Sequence, residues 1–200
     1  MNYIFCILIG YVLGCINPAY IVSRLKGFDI RSKGSNNAGA SNAMITMGWG
    51  AGVFVALFDI AKACCSVLIA TALFPEHAYA GYVAGVASVL GHIFPFYMKF
   101  KGGKGLASYM GLLLALNWKF FLVAAVAIAL ITLITDYIAI GTLTVVVAFP
   151  IFCYFTHVGW IAVGIICIAS ATVIFKHIVN IKKIIKGEEI GLRKANQKNK

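Results

Sequence analysis

Charge is what this sequence has least of. Only 12% of its 200 residues are charged, against about a quarter in an ordinary soluble domain. With 62% hydrophobic residues and a mean hydropathy of +0.93, a soluble fold is excluded and a membrane protein is indicated. No polar stretch is long enough for a separate soluble domain. No cleavable leader is expected either: MNYIFCILIG has no basic start, and no small-residue cleavage site precedes Asn17-Pro18. The start is therefore expected to be the first permanent span. None of Cys6, Cys15, Cys64, Cys65, Cys153 and Cys167 forms a C-x-x-C pair, and all lie in apolar segments. They suit small packing residues better than a disulfide framework or a metal site. Glu76 and His77 share a short turn without a third ligand, which is too little for a metal.

Apolar runs fill most of what is there: Tyr3–Val22, Trp49–Leu73, Ala78–Met98, Leu106–Leu116, Phe120–Thr135, Tyr137–Phe155 and Val158–Val179. A bilayer-crossing helix needs about 20 apolar residues, so Leu106–Leu116 and Phe120–Thr135 are expected to be tilted, partial or buried spans. Of 17 Lys and Arg, 15 fall in Arg24–Lys33, Lys99–Lys104 and Lys176–Lys200. Basic segments stay cytoplasmic, which puts all three on the inner side. One span before the first basic loop places the N-terminus outside, and an even number after the second returns the C-terminus inside. The expected fold is an all-α bundle of seven transmembrane helices, with one domain over 1–187 and a basic cytoplasmic tail over 188–200. For Lys182–Lys200, orientation and contact with anionic lipid are sufficient reasons for the charge.

Two segments break the apolar pattern in the same way. Arg31–Asn42 reads RSKGSNNAGASN, and Phe100–Gly105 reads FKGGKG. Glycines permit turns that aim successive backbone N–H groups inward, and with serine hydroxyls and cations nearby such a loop can receive a phosphate. FKGGKG lacks the earlier glycine spacing and the Ser or Thr after lysine of a nucleotide P-loop, so no nucleotide is implied. Asp59 and Lys62 lie three apart in the second apolar run, on one helical face, where they can pair inside the membrane. His177 and Asn180 share a face at the end of the last run. Gly10 and Gly14 have the spacing of a close helix crossing, and Asn17-Pro18 predicts a kink with Asn17 serving the freed backbone. His92 is followed by Pro95, which predicts a helix break before the basic loop.

GSNNAGASN, the D-x-x-K at Asp59, GHIFPFYMKFKGGKGLA and the closing H-x-x-N together resemble the PlsY family, in order and spacing over nearly the whole chain. These are bacterial membrane glycerol-3-phosphate acyltransferases that use acyl phosphate as donor. The resemblance implies transfer of a fatty acyl group to the sn-1 hydroxyl of glycerol 3-phosphate, giving lysophosphatidate and phosphate at the cytoplasmic face of the bacterial plasma membrane. By position, Gly34, Ser35, Asn37, Gly39, Ser41 and Asn42 match the first phosphate loop. Gly102, Gly103, Lys104 and Gly105 match the second, and Thr142 falls where a serine hydroxyl is usual. His177 and Asn180 match the pair near the acceptor hydroxyl. Catalysis is expected from His177, Asn180, Lys104 and Ser35, with Asp59 and Lys62 as a supporting ion pair. Acyl phosphate, glycerol 3-phosphate and membrane lipids are the implied partners, with no nucleic acid, no metal, no cofactor and a monomeric state.

Besides Thr142, the chain departs from the family at two positions. Ser41 stands where threonine is frequent, which keeps the hydroxyl. Ile45 stands where arginine is frequent, leaving Arg31, Lys33 or Lys101 to supply that charge. None of His77, His92, His157 or His177 has an Asp five residues on, unlike other acyltransferase families. No Ser-His-Asp or Cys-His arrangement is evident, so no acyl-enzyme is expected. His177 can serve as general base or can orient the hydroxyl while a phosphate oxygen takes the proton; orientation is favoured. The alternative from another class is a small transporter or channel for an organophosphate or other anion. Against it, the sequence shows no internal repeat and no matched pair of broken helices.

Overall fold

The computed structural model describes residues 2–191 and 193. All regular structure among them is helical: α1 (Asn2–Cys15), α2 (Pro18–Leu25), α3 (Ala40–Met47), α4 (Trp49–Leu73), α5 (Ala80–Ile93), α6 (Leu106–Leu116), α7 (Trp118–Thr135), α8 (Ile138–Phe155) and α9 (Trp160–Ile185). Short 3-10 turns occupy Ile30–Ser32 and Phe96–Met98. Among the described residues six segments are long and apolar enough to cross a bilayer: Asn2–Leu25, Trp49–Leu73, Ala80–Met98, Trp118–Thr135, Ile138–Phe155 and Trp160–Ile185. The remaining apolar run, α6, has 11 residues, about 16 Å at the helical rise and half the hydrocarbon thickness. Its stretch from Ser108 to Leu113 is buried in protein.

The chain forms two compact units, the first ending at Leu116 and the second beginning at Asn117. In the first, α1 packs along α5 at glycine contacts. A Cβ on Gly10 or Gly14 would land on the backbone of Ala84 or Ser88, and one on Gly91 on that of Tyr11. This is the close crossing that the small-residue spacing predicts, since lipid offers no hydrophobic drive and helices gain by approaching closely. α6 lies against α4 likewise, with Gly111 facing the Ile60 carbonyl.

Pro18 splits the first span. A continuous helix would join the Tyr20 N–H to the Ile16 carbonyl; instead the Asn17 side chain accepts it, at 2.8 Å. The Ile16 carbonyl, thereby freed, accepts from Lys62 Nζ at 2.6 Å. Tyr97 Oη donates to the Cys15 carbonyl at 2.9 Å. The proline break thus becomes a socket for side chains from α4 and from the segment after α5.

In the second unit Phe120 joins α7 to α8, with ring centroids 5.0 Å from Phe149 and 4.7 Å from Phe152. α9 runs to Ile185, past the end of the apolar run at Val179. Lys182 and Lys183 occupy its last turn, where the helix dipole favours cations. Large apolar side chains point outward in both units, among them Phe5, Val12, Leu57, Leu133 and Phe175. Asn17, Asp59, Lys62, Ser66 and His92 are buried in the first unit, and Thr142 and His177 in the second. This inside-out polarity suits a lipid surround.

Candidate active site

The first glycine loop is shaped by Asn42, which is fully buried. Its Nδ2 donates to the Ile30 carbonyl at 2.9 Å and to the Lys33 carbonyl at 3.0 Å. Its Oδ1 accepts the Ser35 N–H at 2.7 Å. Both amide hydrogens are thereby used, so the side chain of Asn42 sets the loop's curvature. Gly34 lies against that amide with φ +61°, where any Cβ would collide with Oδ1. Ser35 and Asn37 are half-buried, Ser41 is exposed and Gly39 is buried. Gly39 is the N-cap of α3 and brings no side chain to cap it. The first-turn N–H groups lack partners within the helix, which makes that end attractive to anions.

Ile45 is half-buried on α3. Arg31 is committed elsewhere: its guanidinium pairs with Asp29 at 2.7 Å, donates to the Met98 carbonyl at 2.8 Å and covers the Tyr20 ring. Hydrogen bonds from Arg31 hold the Asp29 carboxyl down to about 2, and the same pairing raises Arg31. Lys33 sits over the Phe28 ring at 4.5 Å, and Lys101 is exposed. Of the three cations considered as substitutes for the missing charge, then, Arg31 is fixed by an internal carboxylate.

The second loop folds back on α5. That helix ends at Ile93, two residues before Pro95, as the proline predicts. Gly102 N donates to the Ile93 carbonyl at 3.0 Å and Gly103 N to the His92 carbonyl at 3.1 Å. These two N–H groups cap α5 and are engaged there. A Cβ on Gly102 would strike the His92 carbonyl, and one on Gly103 the His92 ring. Both glycines are thus required for close approach. Lys104 is half-buried between them and Gly105, whose φ of +97° turns the chain into α6.

The two loops meet. Asn17 Nδ2 donates to the Ala38 carbonyl of the first loop at 3.0 Å. The same carbonyl lies 3.0 Å from where a Gly103 Cβ would stand. Beneath them is a buried cluster: Lys62 Nζ is 2.6 Å from Asp59 Oδ1 and 3.1 Å from His92 Nδ1, which is itself 3.2 Å from Asp59 Oδ1. The pairing of Asp59 with Lys62 is the expected one. His92 is the partner that sequence reasoning missed, noted only through Pro95; a titratable group inside an apolar run beside a proline was the available signal.

In the second unit His177 is buried on α9, with Nδ1 2.8 Å from the Val173 carbonyl. A carbonyl only accepts, so Nδ1 carries the hydrogen, and in the neutral ring the lone pair lies on Nε2. Asn180, one turn on, donates from Nδ2 to Glu189 Oε1 at 2.5 Å, while its buried Oδ1 has no hydrogen-bond partner among the described residues. Thr142 is buried on α8, donating to the Ile138 carbonyl at 2.9 Å. Residues assigned to the basic tail also return: Glu188 N donates to the Lys183 carbonyl at 2.8 Å, and Arg193 N to Asp136 Oδ1 at 2.9 Å. Glu189 is therefore a site neighbour that the charge pattern hid. The rest of that tail, 192 and 194–200, lies outside the described residues.

Comparison with known proteins agrees with these motifs. The family model described as glycerol-3-phosphate acyltransferase matches residues 4–187. Glycerol-3-phosphate acyltransferase 1 of Oceanobacillus iheyensis is 38% identical over 96% of each chain. The Clostridioides difficile glycerol-3-phosphate acyltransferase is 35% identical, covering 98% of this chain and 97% of its own. The crystal structure of PlsY, an integral membrane glycerol 3-phosphate acyltransferase, in its glycerol 3-phosphate form, superposes with a TM-score of 0.90 at 29% identity over 96% of each chain. Helical architecture, motif order and near full-length matches thus converge, and the chain belongs to the glycerol-3-phosphate acyltransferase family of membrane enzymes.

Proposed function

We propose that this protein moves a fatty acyl group from acyl phosphate to the sn-1 hydroxyl of glycerol 3-phosphate in a bacterial plasma membrane, releasing lysophosphatidate and inorganic phosphate. The observation that carries the reading is the pair of glycine-and-cation loops braced on one another at Ala38 and Gly103, in a chain matched by its family over residues 4–187.

Acyl phosphate is a mixed anhydride. The sn-1 oxygen attacks the acyl carbon, the new C–O bond forms, and the bond to the bridging phosphate oxygen breaks with its electron pair. The hydroxyl proton ends on the departing phosphate, so no strong acid is required. What remains for the protein is to hold anionic groups and to present fixed donors to developing charge. Ser35, Asn37, Gly39 and Ser41 with the α3 N-terminus receive phosphate in this scheme, and Asn42 with Gly34 keeps that loop's shape. Lys104 supplies charge from the second loop, whose Gly102, Gly103 and Gly105 permit the close approach. His177, with its lone pair on Nε2, accepts the acceptor hydroxyl's hydrogen bond and orients it; Asn180 and the Thr142 hydroxyl assist. Asp59 and Lys62 support the loops from below.

The topology proposed with this activity has seven crossings, α6 forming a short one, with the N-terminus outside. Arg24–Lys33, Lys99–Lys104 and the C-terminal end then face the cytoplasm. Residues 1–187 act as one catalytic domain, 188–200 follow as a basic tail, and a monomer surrounded by lipid suffices.

The test is purified protein in lipid with palmitoyl phosphate and radiolabelled glycerol 3-phosphate, palmitoyl-CoA as parallel donor, and Lys104→Ala and His177→Ala as controls. Labelled lysophosphatidate from acyl phosphate alone, lost in both variants, is the expected result. Absence of product with either donor from folded protein overturns the reading.

A further inference from the structure

We propose that His92 is a positioning residue for the second glycine loop, standing between its backbone and the buried Asp59–Lys62 pair and so fixing where Lys104 is presented. The inference rests on the acyl-transfer reading and adds a residue to it.

The observations form a closed circuit. His92 Nδ1 faces the ion pair, 3.1 Å from Lys62 Nζ and 3.2 Å from Asp59 Oδ1. The opposite edge of the ring, Nε2 and Cε1, occupies the space that a side chain on Gly103 would need. The His92 carbonyl meanwhile accepts the Gly103 N–H at 3.1 Å. One residue therefore grips the same glycine through its ring and its backbone. Lys62 also reaches the Ile16 carbonyl, and the next residue, Asn17, holds Ala38 of the first loop. Ala38 in turn lies beside Gly103. Each loop is thus referenced to the other through α4, α5 and the proline break.

A buried ion pair seldom repays its desolvation as net stability, since well-packed apolar residues serve as well. A fixed geometry is what such a pair supplies here. The ring transmits it, because Lys104 follows the gripped glycine directly. A misplacement of about 1 Å in an oriented site is enough to cost as much as about a hundredfold.

The experiment compares wild type, His92→Ala, Gly103→Ala and the double variant in lipid. It measures kcat and KM for both substrates and, independently, inorganic phosphate binding from the rise in unfolding midpoint. Each single variant is expected to weaken phosphate binding and to raise KM for at least one substrate roughly tenfold, with kcat moved less. The double variant is expected to recover part of the Gly103→Ala loss, since the methyl enters space vacated by the ring. Phosphate affinity and both KM values within about twofold of wild type in folded His92→Ala overturn the proposal. So does a Gly103→Ala defect undiminished in the double variant. Should His92→Ala fail to fold, His92→Asn takes its place; it keeps an amide near the Nδ1 position and lacks the far edge, and the same outcomes apply. A wild type that binds phosphate without transferring acyl groups overturns the function alone, and the phosphate-binding arm then decides the role of His92.

Discussion

The Asn42 side-chain carbonyl accepts the Ser35 backbone N–H at 2.7 Å, tying the first turn of α3 to the start of the glycine loop. Asn42→Ala removes this bond and two more, leaving the Ile30 and Lys33 carbonyls with only the backbone N–H groups of Lys33 and Asn36. Each hydrogen bond lost in this way is worth about 0.5–1.5 kcal/mol. The unfolding midpoint in detergent is expected to fall, and turnover with it. Asn42→Asp is expected to be as harmful, because it sets a carboxylate oxygen against those two carbonyls.

Lys62→Met leaves the Asp59 carboxylate buried without its ion partner. Removing one member of a buried pair costs about 3–5 kcal/mol. Thermal unfolding should show a large loss, and Asp59→Asn combined with Lys62→Met should lose less than Lys62→Met alone.

Gly14 and Gly27 separate two uses of glycine. Gly14→Leu drives a side chain into the Ser88 backbone at the α1–α5 crossing, and overpacking of this kind costs about 1–3 kcal/mol, more where backbone itself must shift. Gly27 has φ +81° and open space around it, so Gly27→Ala meets only backbone strain of about 1 kcal/mol. Yields of folded protein should drop sharply for the first and little for the second.

Asp29 gives the pH dependence of the first loop. Its carboxyl is held at about 2, below the ordinary 3.8, by hydrogen bonds from Arg31. A carboxyl lowered on folding stabilises the folded state above its unfolded value and ceases to do so as pH falls through its folded value. The contribution is therefore constant above about pH 4 and lost between about 4 and 2. Solvent screening of this part-exposed pair limits it to about 1 kcal/mol. Asp29→Asn should remove that acid dependence from the unfolding midpoint while leaving the neutral-pH profile flat.

Asn180→Asp brings a second carboxylate to Glu189, which Asn180 meets at 2.5 Å. Turnover is expected to drop at least about tenfold at neutral pH, as two close carboxylates repel. Glu189→Gln in the same chain restores a donor and should recover activity. Parallel kinetics of the single and double variants make the check.

What the sequence made legible was local. Span positions follow from runs of apolar residues, and the breaks at Pro18 and Pro95 from the missing N–H of proline. The Asp59–Lys62 pair follows from helical spacing. Other features depend on packing between distant segments. His92 meets Lys62 only because α4 and α5 adjoin, and Asn17 meets Ala38 only because the first loop returns over the kink. The glycine loops illustrate the difference: composition indicates that the backbone can turn, but not that the N–H groups of Gly102 and Gly103 are used to cap α5. Hydropathy likewise ends at Val179, whereas α9 continues to Ile185 and Glu189 closes back on Asn180.

The capture of the Ile16 carbonyl by Lys62 also bears on how the chain enters the membrane. When α4 first meets hydrocarbon, Lys62 and Asp59 have only each other, and a charged pair in lipid is costly. Two groups complete the shell of Lys62: the Ile16 carbonyl, from the segment synthesised before it, and His92 Nδ1, from the span synthesised after it. The second span is therefore settled in hydrocarbon by both of its neighbours, the broken turn of the first span and the end of α5.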